Sequence, residues 1–389
     1  MLPLCVLLNI SLLDVPQLRA QVKRPESFAS LSTKANAARD ANRLAEAAAA
    51  YKRALAINPK WAEGWWSLGT IQYDTSAYDV AVGSFQKLVN LQPKNGMAHA
   101  MLGLCQFELG ADESALQNLE VATSLGLAPD PQFRQVLLYH EGVLLQRSSK
   151  FEHAQTVLQQ LCLQGVTGPE VNDALGMTLL RITAKTPPAD SSPDRKIVAG
   201  IGQAGCLVGQ KKYEEAKPLL DSLTLEYPQF PNIHYASGMV LLDTRDLKLA
   251  VAQFQEEIRR DPRHVYARLQ IAAALYKEDS QAGVPYAEEA VKLNSSIPLG
   301  HYLLGLLLLD TGDYMGAIPE LESASASFPN EAKLYFALGS AYAQAGRKQD
   351  AARARATFER LNQEQQDKSK PAAGDSPPGP AALGAPISP

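Results

Sequence analysis

The 389-residue chain carries 37 basic and 41 acidic side chains, for a formal net charge of −4, and is 46% hydrophobic but only 7% aromatic. A single core rarely grows past about 250–300 residues, so this length calls for several domains or a repeat array. The slight acidic excess argues against a general nucleic-acid binder, which needs a basic face, and no interior apolar run approaches the roughly 18 residues of a membrane span.

Met1 to Leu13, MLPLCVLLNISLL, is apolar but too short to cross a bilayer. It fits the h-region of a secretory signal, with Pro16 and then Leu18-Arg19-Ala20 ahead of a cleavage point at Gln21. No Lys or Arg precedes the apolar run, and Asp14 and Arg19 stand near the proposed cut. The competing reading of residues 1–20 is therefore an apolar helix that caps whatever follows. Export, periplasmic or secreted, is the favoured expectation, with a cytoplasmic chain as the alternative.

From Phe28 onward the chain is periodic. Ala47, Ala81 and Ala115 are 34 residues apart, as are Pro59 and Pro93, and Gly69 and Gly103. The same interval separates Ala216 from Ala250, Pro228 from Pro262, Ala290 from Ala324, Gly305 from Gly339 and Ala317 from Ala351. Small residues recur where two helices cross closely, and proline recurs where the second helix must stop. The unit is clearest over Pro298–Glu331. His301, Leu304, Gly305 and Leu308 share one face of a first helix. Asp310-Thr311-Gly312-Asp313 supplies a turn in which Gly312 takes the left-handed conformation and Asp313 caps the next helix. Ala317, Leu321 and Ala324 form the buried face of that second helix, and Pro329 closes the unit.

This pattern resembles the tetratricopeptide repeat (TPR) family, a 34-residue helix-turn-helix. The resemblance covers residues 28–61, 62–95, 96–130, 133–167, 197–230, 231–264, 265–297, 298–331 and 332–362. It implies an all-α solenoid of antiparallel helix pairs with a right-handed superhelical sense. The second unit is the fullest, with Trp65, Leu68, Gly69, Tyr73, Ala81, Phe85 and Pro93. The fourth keeps only Gly142, Ala154 and Leu158, the seventh has a short turn, and the sixth places Glu257 where a small residue is usual. The period breaks between Gly168 and Arg195. Pro169 to Lys185 reads as one extra amphipathic helix without a repeat partner, and Thr186 to Asp194 as a Pro- and Ser-rich loop. The break divides the array into four repeats (28–167) and five (197–362), and a change of curvature or a hinge is expected there. Residues 363–389, rich in Pro, Ala, Gly and Ser, read as a disordered tail.

The four cysteines are Cys5, Cys105, Cys162 and Cys206. Losing Cys5 with a signal would leave an odd number, which fits no complete disulfide framework, so the others read as small buried apolar groups. His99, His234 and His301 each precede a packing glycine by four residues, where Trp65 stands in the second unit. Equivalent residues of stacked repeats lie on the order of 10 Å apart, too far to share a metal. Gly200-Ile201-Gly202-Gln203-Ala204-Gly205 sits within a helix rather than after a strand, so it is no dinucleotide fingerprint. No catalytic constellation, metal site or cofactor is expected.

The function expected is that of a non-catalytic scaffold gripping a peptide or protein segment in the concave groove that the resemblance implies. An envelope-associated carrier or chaperone-like assembly factor is the alternative, and a regulatory subunit of an enzyme a remoter one. First-helix residues between the packing positions would line the groove. These are Trp66 and Tyr73, Phe107, Tyr235 and Met239, Tyr276, Tyr302 and Leu306, and Phe336. Related proteins that clamp a C-terminal carboxylate place Lys, Arg and Asn here, so an apolar or amphipathic segment is the expected ligand.

Overall fold

The computed structural model describes residues 26–126, 130–244 and 246–369. The expectations for residues 1–20 and for 370–389 therefore fall outside the described residues. All regular structure within them is α-helical, in two compact units, Met1–Asp130 and Pro131–Pro389.

The first unit holds α1 (Phe28–Asp40), α2 (Leu44–Ile57), α3 (Ala62–Asp74), α4 (Tyr78–Leu91), α5 (Gly96–Glu108) and α6 (Asp112–Ser124). Each odd helix packs against the helix that follows it, and each pair against the next. The second unit begins with α7 (Pro131–Arg147), α8 (Phe151–Leu163), α9 (Pro169–Leu179), α10 (Pro193–Gly209) and α11 (Tyr213–Glu226). It continues with α12 (Ile233–Asp243), α13 (Leu247–Arg260), α14 (Val265–Leu275), α15 (Ser280–Leu293), α16 (Pro298–Thr311), α17 (Tyr314–Ser327), α18 (Ala332–Gln344) and α19 (Lys348–Ser369).

The recurring glycines are where the paired helices touch. A Cβ on Gly69 would lie 2.9 Å from the Phe85 ring, on Gly103 2.8 Å from Leu119, and on Gly142 2.6 Å from Leu158. On Gly238 it would lie 2.5 Å from Phe254, and on Gly305 2.6 Å from Leu321. In each case the large side chain sits sixteen residues later, on the second helix, and fills the space a Cβ would take. In the first unit each turn inside a pair uses one left-handed residue, Asn42, Ser76 or Gly110, at 34-residue spacing. The following N–H then reaches back to an unpaired carbonyl of the first helix, as Ala77 N does to Gln72 O at 2.8 Å.

At the sequence break the structure departs from expectation. The extra helix stops at Leu179, not Lys185, because Arg181 turns left-handed (φ 57°) and Ile182 N closes back on Met177 O at 2.8 Å. Nor is α9 solitary, since it lies against α10 with the two backbones in contact. A Cβ on Gly176 would stand 1.9 Å from Val198 O, and one on Gly202 1.7 Å from Asn172 O. Cys162 of α8 and Cys206 of α10 form a disulfide, Cα atoms 5.0 Å apart, so these two are not the free apolar thiols expected. The pairing was hidden because the partners lie 44 residues apart on either side of the off-period segment. Cys105 is free and buried, and burial pushes its thiol up to about 12.

Two further expectations change. Residues 363–369, read as the start of the tail, continue α19, supported by i,i+4 contacts from Arg360 to Glu364 (2.6 Å) and from Gln363 to Asp367 (3.0 Å). Glu257 does not disturb its repeat. Its buried carboxylate accepts the Tyr235 N–H at 2.9 Å, serving the first turn of α12, whose own N-cap Asn232 makes no side-chain cap bond. Burial raises the Glu257 pKa, and the backbone N–H donors partly offset that rise.

Candidate functional site

Two of the three histidines at the Trp65 position, His99 and His301, are packing residues with the same polar task as Trp65. Trp65 Nε1 donates to Pro59 O at 2.8 Å, fastening its helix to the end of the preceding repeat. His99 Nε2 does the same to Pro93 O (3.2 Å) and His301 Nε2 to Ser295 O (2.9 Å). The other ring nitrogen meets the second helix, at Asn118 Oδ1 (2.9 Å) for His99 and at Glu320 Oε2 (2.5 Å) for His301. Burial pulls the His301 pKa down, but the Glu320 carboxylate and the Ser295 carbonyl outweigh it, and the net shift is upward. Among the described residues, no group of three or more His, Cys, Asp or Glu is placed to hold a metal ion.

The nine residues expected to line a groove meet different surroundings. In the first unit Trp66 is half-buried, its ring 5.9 Å from Phe85, at the edge of a cleft of about 460 Å³ that Arg39, Glu63, Leu88 and Gln92 also line. Tyr73 stacks edge-on to Tyr78 at 5.4 Å, and burial, with Glu108 nearby, pushes its phenol up to about 12. Phe107 is likewise half-buried.

In the second unit, Tyr276, Tyr302 and Leu306 are half-buried and rest on the apolar clusters of the last repeats. Tyr302 lies 6.2 Å from Phe328. Phe336 follows on the next first helix, 61% exposed, with Phe358 of α19 5.5 Å away. Tyr235 differs from these. It is 2% exposed, packed 5.8 Å from Phe254 and 4.9 Å from His264, so it presents no surface to a partner. Arg181 lies over its ring, 5.7 Å from the centroid. Arg181, Met239 and Tyr235 line one small cavity together with Phe151 and Glu152.

A buried polar chain ties the Arg181 turn to these repeats. His264 Nδ1 accepts the Ala267 N–H (2.9 Å), which leaves Nε2–H to donate to Asn232 Oδ1 (3.0 Å). Asn232 Nδ2 then donates to Leu180 O (2.9 Å). Burial pushes His264 down to about 4, consistent with the neutral ring this chain requires. Sequence reasoning missed Arg181, Phe151, Glu152 and Tyr266, because nothing along the chain shows that the off-period turn folds back over the sixth and seventh repeats.

A family profile agrees with the repeat architecture. The tetratricopeptide repeat profile matches residues 32–95, 207–265 and 302–356. The BBSome complex member BBS4 of Bos taurus is 24% identical over 256 residues, which make up 66% of this chain and 43% of that protein. The chain thus spans less than half the length of this curated relative. Among solved structures, MamA from Desulfovibrio magneticus RS-1 is 22% identical, covering 45% of this chain and 98% of that one with a TM-score of 0.40. A tetratricopeptide repeat protein from Parabacteroides merdae is 16% identical, covering 72% and 98%, with a TM-score of 0.32. The repeat profile, the 34-residue interval and the helix pairs meet at the same positions, and the chain carries tetratricopeptide repeats in all three matched stretches.

Proposed function

We propose that this chain is a protein-interaction scaffold that holds an apolar or amphipathic segment of a partner on the first-helix face of its repeats. Tyr276, Tyr302, Leu306 and Phe336 are its anchors in the second unit, and Trp66, Tyr73 and Phe107 in the first. The observation that carries this reading is Phe336. A phenylalanine 61% exposed, continuing a row of half-buried tyrosines and leucines, offers the kind of aromatic anchor found at interaction hot spots. The curated relative is named as a member of a complex, in keeping with a scaffold role. The test is affinity capture from the native organism with mass-spectrometric identification, repeated with Phe336→Glu and Tyr302→Glu. Both variants are expected to keep the melting temperature within about 2 °C and to lose the captured protein. Capture unchanged by both substitutions would overturn the groove reading.

A second reading concerns where the chain works. The Cys162–Cys206 disulfide favours an oxidising compartment, in line with an exported carrier or assembly factor. Alkylation of the protein as it comes from its native source, before and after reduction, tests this. Two thiols newly exposed by reduction are expected, and thiols fully alkylated without reductant would argue for a reducing compartment.

A further inference from the structure

We infer that Arg181 is an internal ligand, filling a seat in the second unit that recognises an arginine side chain, so that this part of the first-helix face is occupied by the chain's own turn. The inference rests on the scaffold reading for its biological sense, but its chemistry stands on the seat alone. The Arg181 guanidinium carbon lies 3.7 Å from the centre of the Tyr266 ring, 4.7 Å from that of Phe151 and 5.7 Å from that of Tyr235. Its Nη1 is 2.7 Å from Glu152 Oε1 and 3.5 Å from Tyr235 Oη. Three aromatic faces and one carboxylate around a planar cation form a guanidinium-selective site, because guanidinium stacks on rings while pairing in its plane, and a compact ammonium cannot do both.

The side chain is delivered as a ligand would be, by a turn lying on the surface of other repeats. Phe151 and Glu152 belong to the fourth repeat, Tyr235 to the sixth and Tyr266 to the seventh, whereas Arg181 comes from the off-period segment. The backbone on either side is gripped at its carbonyls: Asn232 Nδ2 donates to Leu180 O at 2.9 Å, and Gln146 Nε2 donates to Ile182 O. Arg181 takes the same left-handed conformation (φ 57°) as Asn42, Ser76 and Lys211 in the other turns. The seat is also open on one side. The Arg181 side chain is 12% exposed, but its partner Glu152 is 55% exposed, so a second guanidinium can approach the carboxylate from solvent. A partner segment presenting arginine would have to displace the turn, which makes the turn a competitor for that partner.

The test uses the full chain and N-acetyl-argininamide as the probe, with N-acetyl-lysinamide as control, read by calorimetric titration and by the melting temperature. Arg181→Ala is expected to bind the arginine probe at least tenfold more tightly than the wild type does, with a saturable gain in melting temperature. The lysine probe is expected to do neither, and Glu152→Gln in the Arg181→Ala background to abolish the effect. Should Arg181→Ala not fold, Arg181→Gln, which keeps much of the stem, serves the same titration. Equal binding by variant and wild type, no binding to a folded variant, or equal response to lysine would each overturn the proposal. These outcomes do not depend on any captured partner, so failure here leaves the scaffold reading standing, and loss of the scaffold reading leaves the arginine seat in place.

Discussion

The contact between α9 and α10 makes a sharp energetic prediction. Gly202→Ala should, on helix propensity alone, stabilise α10 by about 1 kcal/mol. Yet the new Cβ would lie 1.7 Å from Asn172 O and 2.8 Å from Gly176 N, both backbone atoms of α9. No rotamer change relieves a backbone clash, so the helices must separate by roughly 1.5 Å or more to reach ordinary contact. That separation loosens the packing of Leu175 and Leu179 against Gly205, where the corresponding distances are 2.9 and 3.0 Å. Overpacking against a rigid obstacle outweighs the propensity gain, and the expected net loss is about 2–3 kcal/mol. Gly339 is the internal control. Its nearest neighbour is Arg355 Cγ at 3.4 Å, the stem of a flexible side chain, so Gly339→Ala should gain about 0.5–1 kcal/mol. Urea unfolding of the full chain with its disulfide intact measures both. A Gly202→Ala variant as stable as the wild type, or a Gly339→Ala variant equally damaged, would refute the reasoning.

Other outcomes follow from the same geometry. The folded His264 ring stays neutral down to about pH 4, whereas the unfolded ring takes a proton near its ordinary value of 6.5. Stability is therefore lost as pH falls from 6.5 towards 4, by up to about 3 kcal/mol relative to His264→Asn, which can still cap Ala267. Parallel denaturation curves for the two proteins across that window would show no such effect. Ser76, left-handed at φ 57°, should give about 1 kcal/mol of added stability on Ser76→Gly, read as a raised melting temperature in the first unit. Glu257→Ala should lower the melting temperature by removing the acceptor for the Tyr235 N–H, and Glu257→Gln, which keeps an oxygen there, should restore most of the loss.

The helix pairs were legible because their marks are local. Gly, Ala and Pro recur at fixed steps, and Gly69 with Phe85, or Gly305 with Leu321, shows why a small residue faces a large one sixteen positions on. Gly312 and Asp313 could be read as stop and start signals for the same reason, and Asp313 Oδ1 does accept the Gly316 N–H at 2.9 Å. Asn42, Ser76 and Lys211 adopt the same left-handed turn without glycine to announce it. The departures that shape the first-helix face are long-range. The Cys162–Cys206 bond, the backbone contact of Gly176 and Gly202 with the facing helix, and Arg181 over Tyr266 join residues that no periodicity relates. Which of the candidate anchors stay open depends on where the aperiodic turn lands, as Tyr235 beneath Arg181 shows.

The disulfide has one more consequence, for what happens when the chain is cut. Cys162 and Cys206 lie on opposite sides of the loop from Thr186 to Ser192, most of which is exposed, as is the neighbouring Lys185. A protease that cleaves after Lys185 severs the peptide backbone but not the molecule, because the fragments on either side stay linked through sulfur. On a gel the nicked protein would run as one species without reductant and as two with it. The Pro- and Ser-rich stretch is thus a place where this protein can be opened, trimmed or fitted with an inserted sequence while its two halves keep their covalent bond.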